Sequence, residues 1–243
     1  MKGRSQKNQS LITAAGLGKR FGALTRETNK CLLSIAGKPV ILHLLDRLES
    51  AGIEEMIVVS GYQHAKLLKL IEKRATIVFN PFYRVSGILG SFWAAREWLS
   101  GSPFLFTTAD HFFHSSVLAD CLKVKGELSV VVQTKKRYTR EDAKVVIRSG
   151  SVARMGKEIP IAEAEGEFGG MALFGSRGSA LFFQELESSF EKGGLNGYMM
   201  EILMSVSHRY ALPVRYSTCR ENSRIEIDSV HDLVAARRLA QLF

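Results

Sequence analysis

The sequence predicts an α/β protein built on a mixed, mainly parallel sheet with a small antiparallel lobe. Two observations carry this expectation: short β-branched runs alternate with helical patterns through the first two-thirds of the chain, and glycine-punctuated short strands take over beyond about residue 140. The 243 residues, 46% hydrophobic and 23% charged, suit one globular domain over 1–243 that needs neither disulfide nor structural metal.

Strands are predicted at Leu11 to Thr13, Met56 to Ser60, Thr76 to Phe79, Phe104 to Thr108 and Leu128 to Gln133. Between the first two, Val40, Ile41, Leu44, Leu45, Leu48 and Ala51 recur at helical spacing, after Gly37-Lys38-Pro39 and before a stop at Gly52. Proline suits a first helical turn, where its missing N–H costs nothing. Trp93 and Trp98 fall in another helical pattern, with core packing expected for both. Short strands are expected at Lys144 to Arg148, Ser151 to Met155 and Met171 to Phe174. Helices follow at Ser179 to Glu191 and Leu195 to His208, then a strand near Leu212 to Ser217 and a last helix from Val230 to Leu242.

Met1 to Ser10 is polar and basic, unlike a signal peptide, and no window is apolar enough for a spanning helix, so a cytoplasmic location without membrane insertion is expected. Cys31, Cys121 and Cys219 form no metal-like cluster and are expected to be reduced, packed thiols. The net charge of +9 favours anionic partners, but no tract of five like charges resembles a nucleic-acid arm, and nucleic acid is not an expected partner.

After the first strand, Ala14, Ala15, Gly16, Leu17, Gly18, Lys19, Arg20 and Phe21 form a credible anion cradle: small residues let backbone N–H groups approach phosphate oxygens, and Lys19 and Arg20 add charge. A dinucleotide fingerprint would want glycine where Phe21 stands, and a P-loop would want Ser or Thr at Arg20. Asp110 follows strand Phe104 to Thr108 directly, at the strand end where open α/β sheets bind ligands. Asp228 precedes the last helix, where a capping role is the alternative.

The run Ala14 to Phe21, followed by Asn29-Lys30-Cys31-Leu32-Leu33 and Gly37-Lys38-Pro39, resembles the signature of nucleotidyltransferases that charge sugar 1-phosphates and phospho-alcohols. The resemblance extends over essentially the whole chain and implies one nucleotidyltransferase domain with a Rossmann-like, doubly wound fold. It implies that Gly16, Gly18 and Arg20 hold the triphosphate, that Lys30 contacts the reacting phosphates, and that Asp110 and Asp228 coordinate Mg²⁺. Arg20, Lys30 and Asp110 would then be catalytic, and nucleotide binding would draw on Ala14 to Lys19, Gly61, Gly90 and Ser91. His111 invites a general base or zinc reading, but the nucleophile would be an ionised phosphate that needs no base, and the rest of a zinc set is missing.

Asn80 to Tyr83 with Leu89 to Trp93 resembles the base-approaching stretch of phospho-alcohol cytidylyltransferases. The chain departs from them at Ser86-Gly87-Ile88, where those relatives often carry asparagine. Asp142 to Val146, Met155 to Ile159 and Glu167 to Gly170 resemble the acceptor lobe of inositol-1-phosphate cytidylyltransferases, the last also that of phosphocholine enzymes. Lys157 would neutralise the acceptor phosphate and Glu167 would take a hydroxyl or cationic group. The expected partners are therefore CTP and a small phosphorylated alcohol, inositol 1-phosphate first, with phosphocholine and sugar 1-phosphates as alternatives; a homodimer is compatible. A choline site would use aromatic faces, for which Phe82, Tyr83, Phe112, Phe113 and Phe168 are candidates. Outside enzymology, a regulatory nucleotide-binding protein on the same scaffold is the alternative.

Overall fold

A computed structural model describes residues 8–18, 21, 28–194 and 196–242. Lys19 and Arg20, expected at the phosphates, and Leu195, expected to open a helix, lie outside these.

In chain order the elements are β1 (Gln9–Ala14), β2 (Ser34–Ile35), β3 (Lys38–Pro39), α1 (Val40–Ser50), β4 (Glu55–Ser60), α2 (His64–Ile71), β5 (Thr76–Phe79), α3 (Ile88–Leu99), β6 (Phe104–Thr108) and β7 (His111–Phe113). Then come α4 (Ser115–Leu122), β8 (Leu128–Thr134), β9 (Lys144–Arg148), β10 (Ser151–Gly156), β11 (Gly166–Phe174), α5 (Ser176–Glu191), α6 (Met199–Tyr210), β12 (Val214–Arg220), β13 (Arg224–Glu226) and α7 (Val230–Leu239). Among the described residues nine strands form one sheet in the order β5-β4-β1-β6-β11-β8-β12-β10-β9. The β5-β4-β1-β6 half is parallel, and β12 runs parallel to β8. β11 is antiparallel to both β6 and β8, and the β9–β10 hairpin extends the far edge. The antiparallel lobe is thus continuous with the main sheet.

Strand alternation sends side chains to two cores. Leu11, Ile57, Val59, Phe104, Phe106, Val130 and Val132 face a cluster with α3, α5 and α6, whereas Ile12, Met56, Val58, Leu105 and Val131 face α1, α2 and α4. Two-sided burial explains why these strands read as near-continuous apolar runs. A third cluster packs α7, through Leu233, Ala236 and Leu239, against Ile35, Val40, Phe112 and Ile227.

Several boundaries differ from expectation for local reasons. Ala36 and Gly37 both have positive φ and turn the β2–β3 hairpin, so Pro39 sits just before α1 rather than inside its first turn. Glycines Gly166, Gly169 and Gly170 read as turn residues, yet they lie within β11. A Cβ on Gly169 would come within 2.7 Å of Val131, so glycine there answers to crowding rather than chain reversal. α6 starts at Met199, where the Glu201 carboxylate accepts from the Tyr198 N–H at 2.9 Å. The last helix ends at Leu239 and tightens into a 3₁₀ turn over residues 240–242. Trp93 packs against Phe190, but Trp98 is 39% exposed, contrary to its expected core role.

Phe92 is fully buried on α3 and meets Phe106, Phe174 and Phe182 at ring-centroid distances of 4.8, 6.4 and 5.0 Å. Phe92→Ala is expected to cost about 3–5 kcal/mol, measured by urea unfolding. A loss below about 1 kcal/mol, the scale of a tolerated core swap, would contradict this ring cluster's place in the core.

Candidate active site

A cleft of about 380 Å³ opens at the carboxyl ends of β1 and β6. Ala14, Ala15, Gly16, Leu17 and Gly18 line it, as expected for a phosphate cradle, together with Lys30, Ser91, Asp110 and Asp228. Gly18 adopts φ +62, the left-handed region that glycine enters at little cost, and its carbonyl accepts from the Phe21 N–H at 3.1 Å.

Lys30, Asp110 and Asp228 are brought together. The Lys30 Nζ donates to Asp110 Oδ2 and to Asp228 Oδ1, at 2.6 Å each. Three separate parts of the chain make this meeting possible. Asn29 anchors the first: its side chain donates to the Ala14 and Tyr62 carbonyls at 2.8 and 3.1 Å and accepts from the Cys31 N–H at 3.2 Å. The short ribbon of β7 with β13 joins the other two, and the Ile227 N–H donates to the Asp110 carbonyl at 2.9 Å. The capping role open to Asp228 falls instead to Ser229, whose hydroxyl accepts from the Asp232 N–H at 3.2 Å.

The electrostatics follow from this geometry. Burial opposes the charge on Lys30, but Asp110 and Asp228 outweigh it and raise the amine above the ordinary lysine range. Burial would likewise raise Asp110, yet the adjoining Lys30 charge holds its carboxyl below the usual range. Two carboxylates converging on one cation-sized position are a donor set that fits a hard divalent ion as well as an ammonium. Beside them, Asp110, His111 and Glu226 place ligand atoms within 4.8 Å of one another. Cys31 also lines the cleft, but it is buried, and burial with the nearby Asp110 charge pushes its thiol up to about 12, which suits packing rather than nucleophilic chemistry. Cys121 and Cys219 are buried and free as well.

The cleft is also lined by Asn80, Tyr83, Ser86, Gly87 and Ile88. Two expected contact residues are placed behind this lining. A Cβ on Gly61 would lie 2.6 Å from Tyr83 and 2.8 Å from the Ala15 carbonyl, and one on Gly90 would strike the Ser86 hydroxyl. Both glycines therefore let lining residues close in. At the departure from the related stretch, the Asn80 side-chain nitrogen donates to Ser86 Oγ at 3.3 Å, so an asparagine amide is supplied from six residues earlier.

Lys157 and Glu167 do not line this cleft. Lys157 is 3.6 Å from Glu141, with Nζ 5.6 Å from the Tyr198 ring. Glu167 takes Lys135 at 2.5 Å and Arg224 at 3.3 Å, and Lys135 also pairs with Asp142 at 2.8 Å. Burial raises the Glu167 carboxyl even against these cations. Of the candidate aromatics, Tyr83 lines the cleft, whereas Phe112 and Phe113 are buried in two different cores. Sequence reasoning missed the anchoring role of Asn29 and the Thr108 hydroxyl, which donates to Asp110 Oδ1 at 2.6 Å. A polar residue directly before Lys30 and a threonine two positions before the strand-end aspartate were the available signals.

The profile of the MobA-like NTP transferase domain matches residues 10–209. CTP:phosphoglutamine cytidylyltransferase of Campylobacter jejuni is 26% identical over 92% of this chain and 97% of its own length. Choline-phosphate cytidylyltransferase of Haemophilus influenzae is 36% identical over 37% of this chain and 40% of its own length. Among solved structures, the inositol-1-phosphate CTP transferase from T. maritima superposes with a TM-score of 0.79 over 98% of both chains at 16% identity, a likeness of fold. No helix among the described residues is long and apolar enough to cross a membrane. With its profile match spanning most of the chain and its fold shared with these proteins, the chain belongs to the MobA-like NTP transferase family.

Proposed function

We propose that the protein is a cytidylyltransferase, transferring CMP from CTP to a small phosphorylated alcohol with release of pyrophosphate. The observation that carries this reading is the convergence of Lys30, Asp110 and Asp228 beside the small-residue loop 14–18 in one cleft. Cytidylyl transfer in the names of the Campylobacter and Haemophilus relatives supports CTP as the donor. The cleft lining at Asn80, Ser86, Gly87 and Ser91 offers amide, hydroxyl and backbone groups suited to a pyrimidine edge.

The reaction is in-line attack by an ionised acceptor phosphate oxygen on the α-phosphorus; the new P–O bond forms as the bond to pyrophosphate breaks. No proton need be removed from the nucleophile, so positioning and charge neutralisation are the whole task. The backbone of Gly16 to Gly18 would cradle phosphate oxygens, with Lys19 and Arg20 following directly in sequence. Lys30 remains an ammonium throughout the working pH range and would leave the carboxylates for the phosphates. Asp110 and Asp228 would hold Mg²⁺, which supplies charge neutralisation at the phosphates when bound.

For the acceptor we propose inositol 1-phosphate, on the resemblance of segments 142–146, 155–159 and 167–170 and on the burial of Phe112 and Phe113, which removes two faces of a candidate choline cage. The nearly full-length match to a phosphoglutamine enzyme favours a second reading, a nitrogen-bearing phosphorylated acceptor.

Pyrophosphate release is the direct test, with Mg²⁺ and five nucleoside triphosphates crossed against inositol 1-phosphate, phosphoglutamine, phosphocholine and sugar 1-phosphates. Release is expected with CTP, and Asp110→Asn is expected to lower kcat by about 100-fold or more, the scale of losing one preorganised charge partner. Turnover with another triphosphate in place of CTP, or full activity in the variant, would contradict the reading. Gly90→Ala, which crowds Ser86 and Asn80, is expected to raise KM for CTP about tenfold, equivalent to about 1.4 kcal/mol of binding, more than it lowers kcat. An unchanged KM would move the base away from this part of the cleft lining.

A further inference from the structure

We infer that His111 is a positioning residue that holds the Asp110 carboxylate in place through the Thr108 hydroxyl, a role that rests on the cytidylyltransferase reading of the site. The His111 ring is 3% exposed and fills the space beside Gly170 that any Cβ there would need. It does not line the cleft. Its contacts are instead with the groups behind Asp110.

The protons can be counted. Thr108 Oγ1 lies 2.6 Å from Asp110 Oδ1 and 3.0 Å from His111 Nδ1. An ionised carboxylate only accepts, so the single hydroxyl proton is directed at Asp110. The hydroxyl oxygen then has only lone pairs to offer the ring, and His111 must donate from Nδ1. Its Nε2 makes no hydrogen bond among the described residues and lies 3.5 Å from Glu226 Oε2, because the β7–β13 register sets His111 opposite Glu226. The same ribbon that brings Asp110 and Asp228 together thus also sets the ring.

The arrangement matters when Lys30 moves. Asp110 is held at both oxygens, by Thr108 at Oδ1 and by Lys30 at Oδ2. Once Lys30 leaves for phosphate, Thr108 is the remaining side-chain donor to Asp110 among the described residues, and His111 fixes its hydroxyl direction. Groups that orient a ligating side chain in this way typically carry about 10–100-fold in activity or metal affinity.

The experiment is a double-mutant cycle on Thr108→Val and His111→Leu, with His111→Asn as the conservative variant. Each single substitution is expected to lower kcat about 10–100-fold with KM for CTP little changed, and the double variant is expected to be no worse than the weaker single, because both break one chain. His111→Asn, whose amide N–H can replace Nδ1–H, is expected to recover most of the loss. Multiplying losses, or an Asn variant as impaired as Leu, would overturn the inference. ¹⁵N-histidine NMR on the nucleotide-free wild type and Thr108→Val gives a readout independent of turnover and of whether His111→Leu folds. A protected Nδ1–H assigned to His111 in the wild type, shifted in Thr108→Val, is expected, and an unprotonated Nδ1 would overturn the inference. Absence of turnover with every acceptor would defeat the cytidylyltransferase reading alone and leave the NMR result to decide the role of His111.

Discussion

The ammonium of Lys30, held between Asp110 and Asp228, is the interaction on which the arrangement of the cleft depends. Two carboxylates this close and this shielded repel each other, and each loses water on burial. A cation between them offsets both costs. With the ammonium in place the acidic pair can be assembled before any ligand arrives. We propose that the same pair would take Mg²⁺ once the lysine had a better anion to meet. On the proposed function a triphosphate would provide one, and departure of the lysine and arrival of nucleotide would then be two sides of one exchange.

The fold supplies this meeting through unequal contributions. The parallel half of the sheet places the loop after β1 and the end of β6 side by side, since β1 pairs with β6 from Gln9 to Thr13. Lys30 is fixed by Asn29, two of whose three hydrogen bonds reach the ends of neighbouring segments, at Ala14 and Tyr62. Asp228 reaches the cleft only because β13 pairs back onto β7, and α7 then packs over Phe112 and Ile227 to hold that ribbon down. A change in α7 can therefore act on the acidic pair without touching a ligand.

Much of this was legible from the residues, and the remainder failed for physical reasons. Strands at Thr76–Phe79, Phe104–Thr108 and Lys144–Arg148 have the bounds expected, because buried apolar runs flanked by turn residues specify strands locally. Asp110 stood out from its place at a strand end, whereas Lys30 and Asp228 were singled out by the resemblance to nucleotidyltransferases, position alone leaving Asp228 a helix-capping role. What bound them was not legible: the β7–β13 ribbon is three residues long on each side and joins segments far apart in sequence, so no local periodicity reports it. Glycine alone was ambiguous: Gly166 to Gly170 resemble a turn but lie in a strand that passes close to Val131 and His111, and Gly61 and Gly90, expected at the nucleotide, leave room for Tyr83 and Ser86. Phe112 and Phe113 looked available for a cation, yet opposite faces of one short strand send them into separate cores.

The exchange of lysine for metal is tested most directly by thermal unfolding of the wild type and Lys30→Met without nucleotide, each with and without Mg²⁺. Removing one partner of a buried ion cluster costs about 3–5 kcal/mol, so metal-free Lys30→Met is expected to melt well below the wild type. Mg²⁺ is expected to restore much of that loss by binding the vacated carboxylates, while moving the wild type little. Equal Mg²⁺ shifts in the two proteins, or a metal-free variant as stable as the wild type, would contradict the exchange.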